Sequence, residues 1–215
     1  MPTARFFRLP EERRFAVLEA AEAEFGANGF SRGSVNAIAA AANISKGSLF
    51  QYFEDKAELC AYLSDLVCGR IRDAMTARFE RLPWSEDFFG SLQSAVEYWM
   101  HYYAEHPAEL AFTTAVNLEP DPATQRAVRA AVNQHYIDVF QPLLKAAHSS
   151  GQLAPEADLD LFLALIMLML PHLAIAPNLP GLDAVLGLAD TAQPDDVASR
   201  VITMLRNSFG PHSAR

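Results

Sequence analysis

The sequence predicts an all-α protein. Apolar residues recur at spacings of three and four along most of its 215 residues, the period of an amphipathic helix. No segment alternates apolar and polar residues as a half-buried strand would. Gly, Pro and Asn stand at the ends of the periodic stretches, where they act as helix boundaries. Hydrophobic residues make up 51% of the chain and charged ones 20%, enough for a substantial core and against wholesale disorder.

The elements follow in order. Met1 to Leu9 is expected to be a flexible arm. Pro10, Glu11 and Glu12 make a favourable helix start, since acids suit the positive end of the helix dipole. The first helix then runs to Asn28 with Phe15, Leu18, Ala21 and Phe25 facing inward, and Gly29 ends it. Two short helices fill Ser34 to Phe53. A long helix spans Lys56 to Leu82, where Pro83 breaks it. The next runs from Glu86 to Glu105, stopped at His106 because the residue before a proline avoids the helical region. Pro107 starts a shorter one to Asn117. Glu119 to Pro122 is a loop. Ala123 to Ser149 is a long helix with Pro142 inside it. Asp158 to Ala176 is apolar nearly all round. Pro177 to Pro194 is an irregular connection with a turn of helix at Leu182 to Leu188. The last helix covers Asp195 to Phe209, with Val197, Val201, Met204 and Leu205 on one side, and the tail from Gly210 is expected to be disordered.

The most informative stretch is Ser34 to Phe53. Val35, Ile38, Ala39 and Ala42 form one apolar face. Asn43 tolerates the left-handed conformation of a tight turn, Ser34 and Ser45 are placed as helix caps, and Leu49 and Phe53 point inward four residues apart. Lys46, Ser48, Gln51 and Tyr52 are left outside. Ala39 is small enough for two helices to cross steeply. This is the layout of a helix-turn-helix, whose second helix enters the DNA major groove. Lys46 and Lys56 suit backbone phosphates, Ser34 and Tyr52 offer hydroxyls, Gly47 lets the backbone approach closely, and Ser48 and Gln51 are candidates for base edges.

From Phe25 to Leu59 the chain also resembles the DNA-binding domain of the TetR/AcrR family of transcriptional regulators. The resemblance is carried by Phe25, Gly29 and Phe30, Ile38 and Ala39, the run Ile44 to Leu49, Tyr52 and Phe53, Lys56 and Leu59. It departs where Gly33 replaces the usual Thr, Asn43 the usual turn Gly, and Phe50 the usual Tyr. The resemblance implies a three-helix helix-turn-helix domain over residues 1–55 and a helical effector-binding and dimerisation domain over 56–215. It further implies a cytoplasmic, non-enzymatic DNA-binding regulator, in families of this kind most often a repressor, acting as a homodimer on a double-stranded operator and answering to a small molecule.

The net charge of −9 argues at first against nucleic acid, and its distribution answers the objection. Residues 1–59 hold seven Lys and Arg against eight Asp and Glu, while residues 60–215 hold ten against eighteen. Ser31 to Phe53 contains no acid, and Arg5, Arg8, Arg13 and Arg14 cluster near the start. Acidity at one end would orient the molecule in the field of a duplex. Cys60 and Cys68 lie eight apart on one helix, too far for a bridge within it, and are expected to be reduced thiols. Met1 to Pro10 lacks the apolar core of a signal peptide. Leu161 to Ala176 is short for a membrane span, carries Pro171 and His172, and is expected to be a buried helix.

In the C-terminal part the excess of large apolar and aromatic side chains points to a mainly apolar effector, aromatic or acyl. Its walls would be Trp99, Tyr102, Phe112, Val116, Tyr136, Phe140, Met167 and Met169, with Asn117 and His172 as polar anchors. The 158–176 and 195–209 helices are the expected dimer interface. No cofactor and no metal is expected. Glu97, His101 and Glu105 share one helical stripe, which could hold a metal but suits a solvated face. A redox- or metal-responsive regulator of the same fold, and an all-α enzyme, are the alternatives. No phosphate loop, serine elbow or nucleophile with its base is visible for the last.

Overall fold

The computed structural model describes residues 1–179, 181–189 and 194–211. Among them the helices are α1 (Ala4–Phe7), α2 (Glu11–Asn28), α3 (Val35–Ala41), α4 (Lys46–Tyr52), α5 (Lys56–Phe79), α6 (Phe88–Glu105), α7 (Pro107–Asn117), α8 (Pro122–Ser149), α9 (Leu159–Ile175) and α10 (Pro194–Phe209), with a short 3-10 turn at Ala176–Asn178. The described residues contain no strand. The end of the irregular connection and the last four residues of the tail lie outside the described residues.

Two compact units result. The first takes Met1–Ile71 together with Pro107–Asn133, the second Arg72–His106 together with Gln134 onward. The first unit continues through two thirds of α5 and takes in α7 and the start of α8. The reason is local: α2 packs along α7, and they can approach closely because α2 carries Gly26. A Cβ there would stand 3.2 Å from the Cβ of Ala111.

In this unit Val17, Ala21 and Phe25 line the inward side of α2. Phe15 is 63% exposed, and Leu18 is half-buried. The inward stripe therefore runs through Val17, one position from the expected Leu18 and two from Phe15, and repeats every four residues at Ala21 and Phe25. Phe25 meets Phe30 at 5.2 Å, and Phe30 meets the ring of Phe112 edge-on at the same distance. Offset and edge-on ring pairs add to the burial itself.

The N-terminal arm is docked rather than flexible. Phe6 is 1% exposed and lies 5.0 Å from Phe53 and 5.9 Å from Tyr62. Burying one such ring is worth roughly 2 kcal/mol, which offsets the backbone entropy of ordering one or two residues. Thr3 adds two bonds: its N–H donates to Tyr52 O at 2.9 Å and its hydroxyl to Gln51 O at 2.7 Å.

In the second unit α6 is the shared platform, packing against both α9 and α10. Phe88, Phe89, Leu92, Val96 and Met100 are buried along it. Phe162 of α9 stacks on Phe209 of α10 with centroids 4.4 Å apart. On α10 the buried set is Val197, Ala198, Ile202, Leu205 and Phe209, while Met204 is 50% exposed and Val201 half-buried. The buried residues form one face, turned towards Ala198 and Ile202 so that Met204 falls beyond its edge. Asp158 caps α9 by accepting from Leu161 N at 2.9 Å. With the turn after it, α9 is the one described helix long and apolar enough to cross a membrane, and 44% of that stretch is buried inside the chain.

Candidate nucleic-acid interface and effector residues

Both short helices of the helix-turn-helix begin on serine caps. Ser34 Oγ accepts from Ala37 N at 3.2 Å, and Ser45 Oγ accepts from Ser48 N at 3.0 Å. With Gly at position 33, the capping falls to Ser34, as the departure from the family pattern requires. A Cβ at position 33 would collide with the Phe25 ring at 2.5 Å, so Gly33 allows the loop to lie against Phe25. Between the helices Asn43 has φ 52°, the left-handed turn its short amide side chain tolerates. Ile38, Ala39, Leu49 and Phe53 are all buried, so α3 and α4 are held by their inward faces.

The opposite face of α4 is open. Lys46, Gly47, Phe50 and Gln51 are exposed, and Ser48 and Tyr52 are half-buried. The Lys46 ammonium lies 5.9 Å from the Phe50 ring centroid, a weak cation–π contact that leaves the charge in solvent. A Cβ on Gly47 would meet nothing closer than Ser45 Oγ at 3.7 Å. Packing within the chain therefore gives no reason for a glycine there. Ser48 Oγ lies 2.8 Å from Ser45 Oγ, and the backbone oxygens of Gln51 and Tyr52 are occupied by Thr3. Lys56 has a different setting. It is half-buried, and its Nζ donates to Ser31 O at 2.9 Å and Gly33 O at 3.3 Å.

Sequence reasoning missed what lies beside this face. Because α1 is a helix packed against α4, its exposed Arg5 and the adjoining exposed Arg8 add positive charge next to the recognition helix. Arg14 is used internally: its Nη1 donates to Phe7 O and Leu9 O at 3.1 and 2.9 Å and braces the turn into α2. The signal that could have found the docked arm was Phe6, a large apolar residue three positions after Thr3, which precedes a helical turn.

The ten effector residues fall in both units. Phe112 and Val116 are buried in the first. Asn117, also there, has its amide in use: Nδ2 donates to Thr113 O at 2.8 Å and Oδ1 accepts from Arg129 at 2.9 Å. In the second unit Trp99 and Tyr136 lie 5.5 Å apart and Tyr136 stacks over Phe140 at 6.3 Å, forming a continuous aromatic row. Trp99 is 6% exposed and its indole Nε1 is buried without a hydrogen-bond partner. Tyr102 is buried and stacks on His106 with centroids 3.8 Å apart. Met167 and Met169 are half-buried on α9. His172 is not in the interior: it is exposed, with Nδ1 3.0 Å from Leu168 O. The apolar character of α9 had hidden which of its sides faces inward.

The Glu97, His101 and Glu105 stripe does not converge. Glu97 accepts from Gln93 at 2.8 Å, and His101 Nε2 lies 3.0 Å from Asp195. Among the described residues no group of three or more metal-ligating side chains is assembled. Burial pushes the thiols of Cys60 and Cys68 up to about 12, which disfavours the thiolate that redox chemistry needs.

A capped, acid-free helix-turn-helix with an open recognition helix, joined to a helical unit, defines a DNA-binding transcriptional regulator. Residues 17–63 match the family described as bacterial regulatory proteins, tetR family, and this segment is a DNA-binding domain of that type. Solved structures share the fold over nearly the whole chain. A TetR family transcriptional regulator from Chloroflexus aurantiacus is 22% identical with a TM-score of 0.64, covering 99% of this chain and 100% of the other. A TetR family transcription regulator from Shewanella sp. PV-4 is 20% identical, TM-score 0.68, covering 92% and 98%. FadR from Bacillus subtilis, in complex with stearoyl-CoA, is 14% identical, TM-score 0.68, covering 89% and 96%. No protein among curated relatives matches the chain.

Proposed function

We propose that this protein is a homodimeric repressor that leaves a near-palindromic operator when a mainly apolar small molecule binds its C-terminal helices. The functional division is into a DNA-binding part, residues 1–55, and an effector and dimerisation part, residues 56–215, and the setting is cytoplasmic. The carrying observation is the exposed face of α4, with Lys46, Ser48 and Gln51 outward and no internal packing reason for Gly47. Lys46 meets a phosphate, Ser48 and Gln51 read base edges, and Gly47 admits the sugar–phosphate backbone. Ser34, Ser45 and Tyr52 border that surface, and Lys56 acts on it indirectly through the loop it holds.

One short helix touches too few bases for useful specificity, so two copies acting one helical turn apart follow. An outward stripe on α9 suits the pairing: Leu161 and Leu168 are 50% and 66% exposed, and Ala164 and His172 lie exposed on the same side. Met204 of α10 is 50% exposed. In the second unit the effector site is centred on the Trp99, Tyr136 and Phe140 row, and the unpartnered indole N–H calls for an oxygen acceptor on an otherwise apolar ligand. The acyl thioester bound by FadR from Bacillus subtilis is a ligand of that chemistry and makes a reasonable first probe.

The test is selection of duplexes from a random pool by the full-length protein, followed by addition of stearoyl-CoA and of aromatic acids to the selected complex. Recovery of a two-fold symmetric site and its release by one of these probes are expected. Failure to retain any duplex at low salt would sink the regulator reading.

A further inference from the structure

We propose that Glu119, in the α7–α8 loop, is a positioning residue for DNA binding: its carboxylate latches the loop that leads into the helix-turn-helix. This rests on the DNA-binding reading above. Glu119 is 4% exposed although its neighbours Leu118, Pro120 and Asp121 are in solvent. A carboxylate is buried only at a cost unless donors satisfy it. Here its Oε2 accepts from Ser31 N at 3.1 Å, and its Oε1 accepts from the Ser31 hydroxyl and from Asp121 N at 3.0 Å. The first two donors lie 88 residues away in the chain.

Ser31 is the middle of the five-residue loop Gly29 to Gly33. Its carbonyl and that of Gly33 accept from Lys56 of α5, and the N–H of Ser34, the cap of α3, donates to Glu24 of α2 at 2.8 Å. Three charged side chains from three elements therefore hold a loop that has no regular structure of its own. Of the three, only Glu119 comes from the 107–133 segment, so it is the hydrogen-bonded link by which that segment fixes where α3 starts. The turn at Asn43 then transmits that placement to α4. A cleft of about 430 Å³ borders Ser31, Arg32 and Glu119, leaving room for the loop to shift when the latch is broken. Charge-assisted bonds of this kind are stronger than neutral ones, and removing the carboxylate takes away the acceptor shared by the Ser31 N–H, the Ser31 hydroxyl and the Asp121 N–H.

The experiment uses the full-length protein and a duplex selected by the wild type. Glu119→Ala and Ser31→Ala are compared with wild type in duplex affinity, melting temperature and amide exchange. Ser31 is exposed and its variant loses only the hydroxyl bond, so it should fold even if Glu119→Ala does not. Glu119→Ala is expected to weaken duplex binding on the order of tenfold or more, Ser31→Ala by about threefold. Faster exchange should be confined to residues 29–45 while α2 and α5 stay protected. Unchanged affinity in both variants, or a loss of protection spread evenly over the unit, would overturn the proposal. A wild type that retains no duplex at all would instead reject the DNA-binding reading.

Discussion

The ammonium of Lys56 donates to the carbonyl oxygen of Ser31 at 2.9 Å, across twenty-five residues of sequence. Lys46 lies in solvent at the start of α4, its ammonium 5.9 Å from the Phe50 ring centroid, at the limit of cation–π range. Two lysines that look alike in the sequence are therefore doing different things. Lys46→Ala should weaken binding to every duplex and lower the slope of affinity against salt by about one. Lys56→Met should weaken binding with little change of slope, and should lower the melting temperature because two loop carbonyls lose their donor. Gln51→Ala should instead relax preference at particular base pairs, at roughly 1–3 kcal/mol per good contact. Salt titrations of the three variants on one selected duplex separate these outcomes. Equal slopes for Lys46→Ala and wild type would refute the orientation proposed for α4.

Leu168 and Met204 are better probes of dimerisation than residues that also serve the core. Each is at least half exposed in the single chain, so Leu168→Asp should leave the fold of the second unit intact and place a charge in the partner's apolar face. Sedimentation at micromolar concentration should then show a monomer, with operator binding much reduced. A wild-type monomer under the same conditions would remove the proposed interface.

Trp99 offers a test of the effector site that separates binding from packing. Trp99→Phe keeps an aromatic ring and removes the buried N–H. Since that donor has no hydrogen-bond partner among the described residues, its removal should leave the melting temperature unchanged or slightly raised. Release of DNA by an oxygen-bearing ligand should require about five- to tenfold more ligand, the worth of one hydrogen bond. An unchanged response places the ligand elsewhere.

The cysteines make a prediction about pH. Folding raises both thiols from 9.0 to about 12, chiefly by burial. Above pH 9 the unfolded chain loses these protons while the folded one keeps them, so stability should fall as pH rises from about 9 towards 12. At pH 8 the folded protein should resist iodoacetamide and react only when denatured. Rapid alkylation of the native protein would revive a redox role.

The recognition segment was legible in the sequence to a high degree. Its caps at Ser34 and Ser45 and its turn at Asn43 follow from short-range rules, because those interactions span only a few residues, and its buried set Ile38, Ala39, Leu49 and Phe53 follows from the helical period. The boundaries of α7, α8 and α9 were readable for the same reason, from Pro107, Pro122 and Asp158. What the sequence could not assign were groups whose partners lie far along the chain. Phe6 finds Phe53, Lys56 turns back to Ser31, and Glu119 reaches Ser31 from a loop that looked like a mere connector. The same holds for faces. On α9 nearly every residue is apolar, so periodicity carried no information about which side is inward. Packing on α6 decided that Phe162, Ile166 and Leu170 are buried while Leu161, Leu168 and His172 are not. Local chemistry fixes where helices begin, turn and end; which polar groups they satisfy, and which faces they leave uncovered, is settled only when distant segments compete for the same buried space.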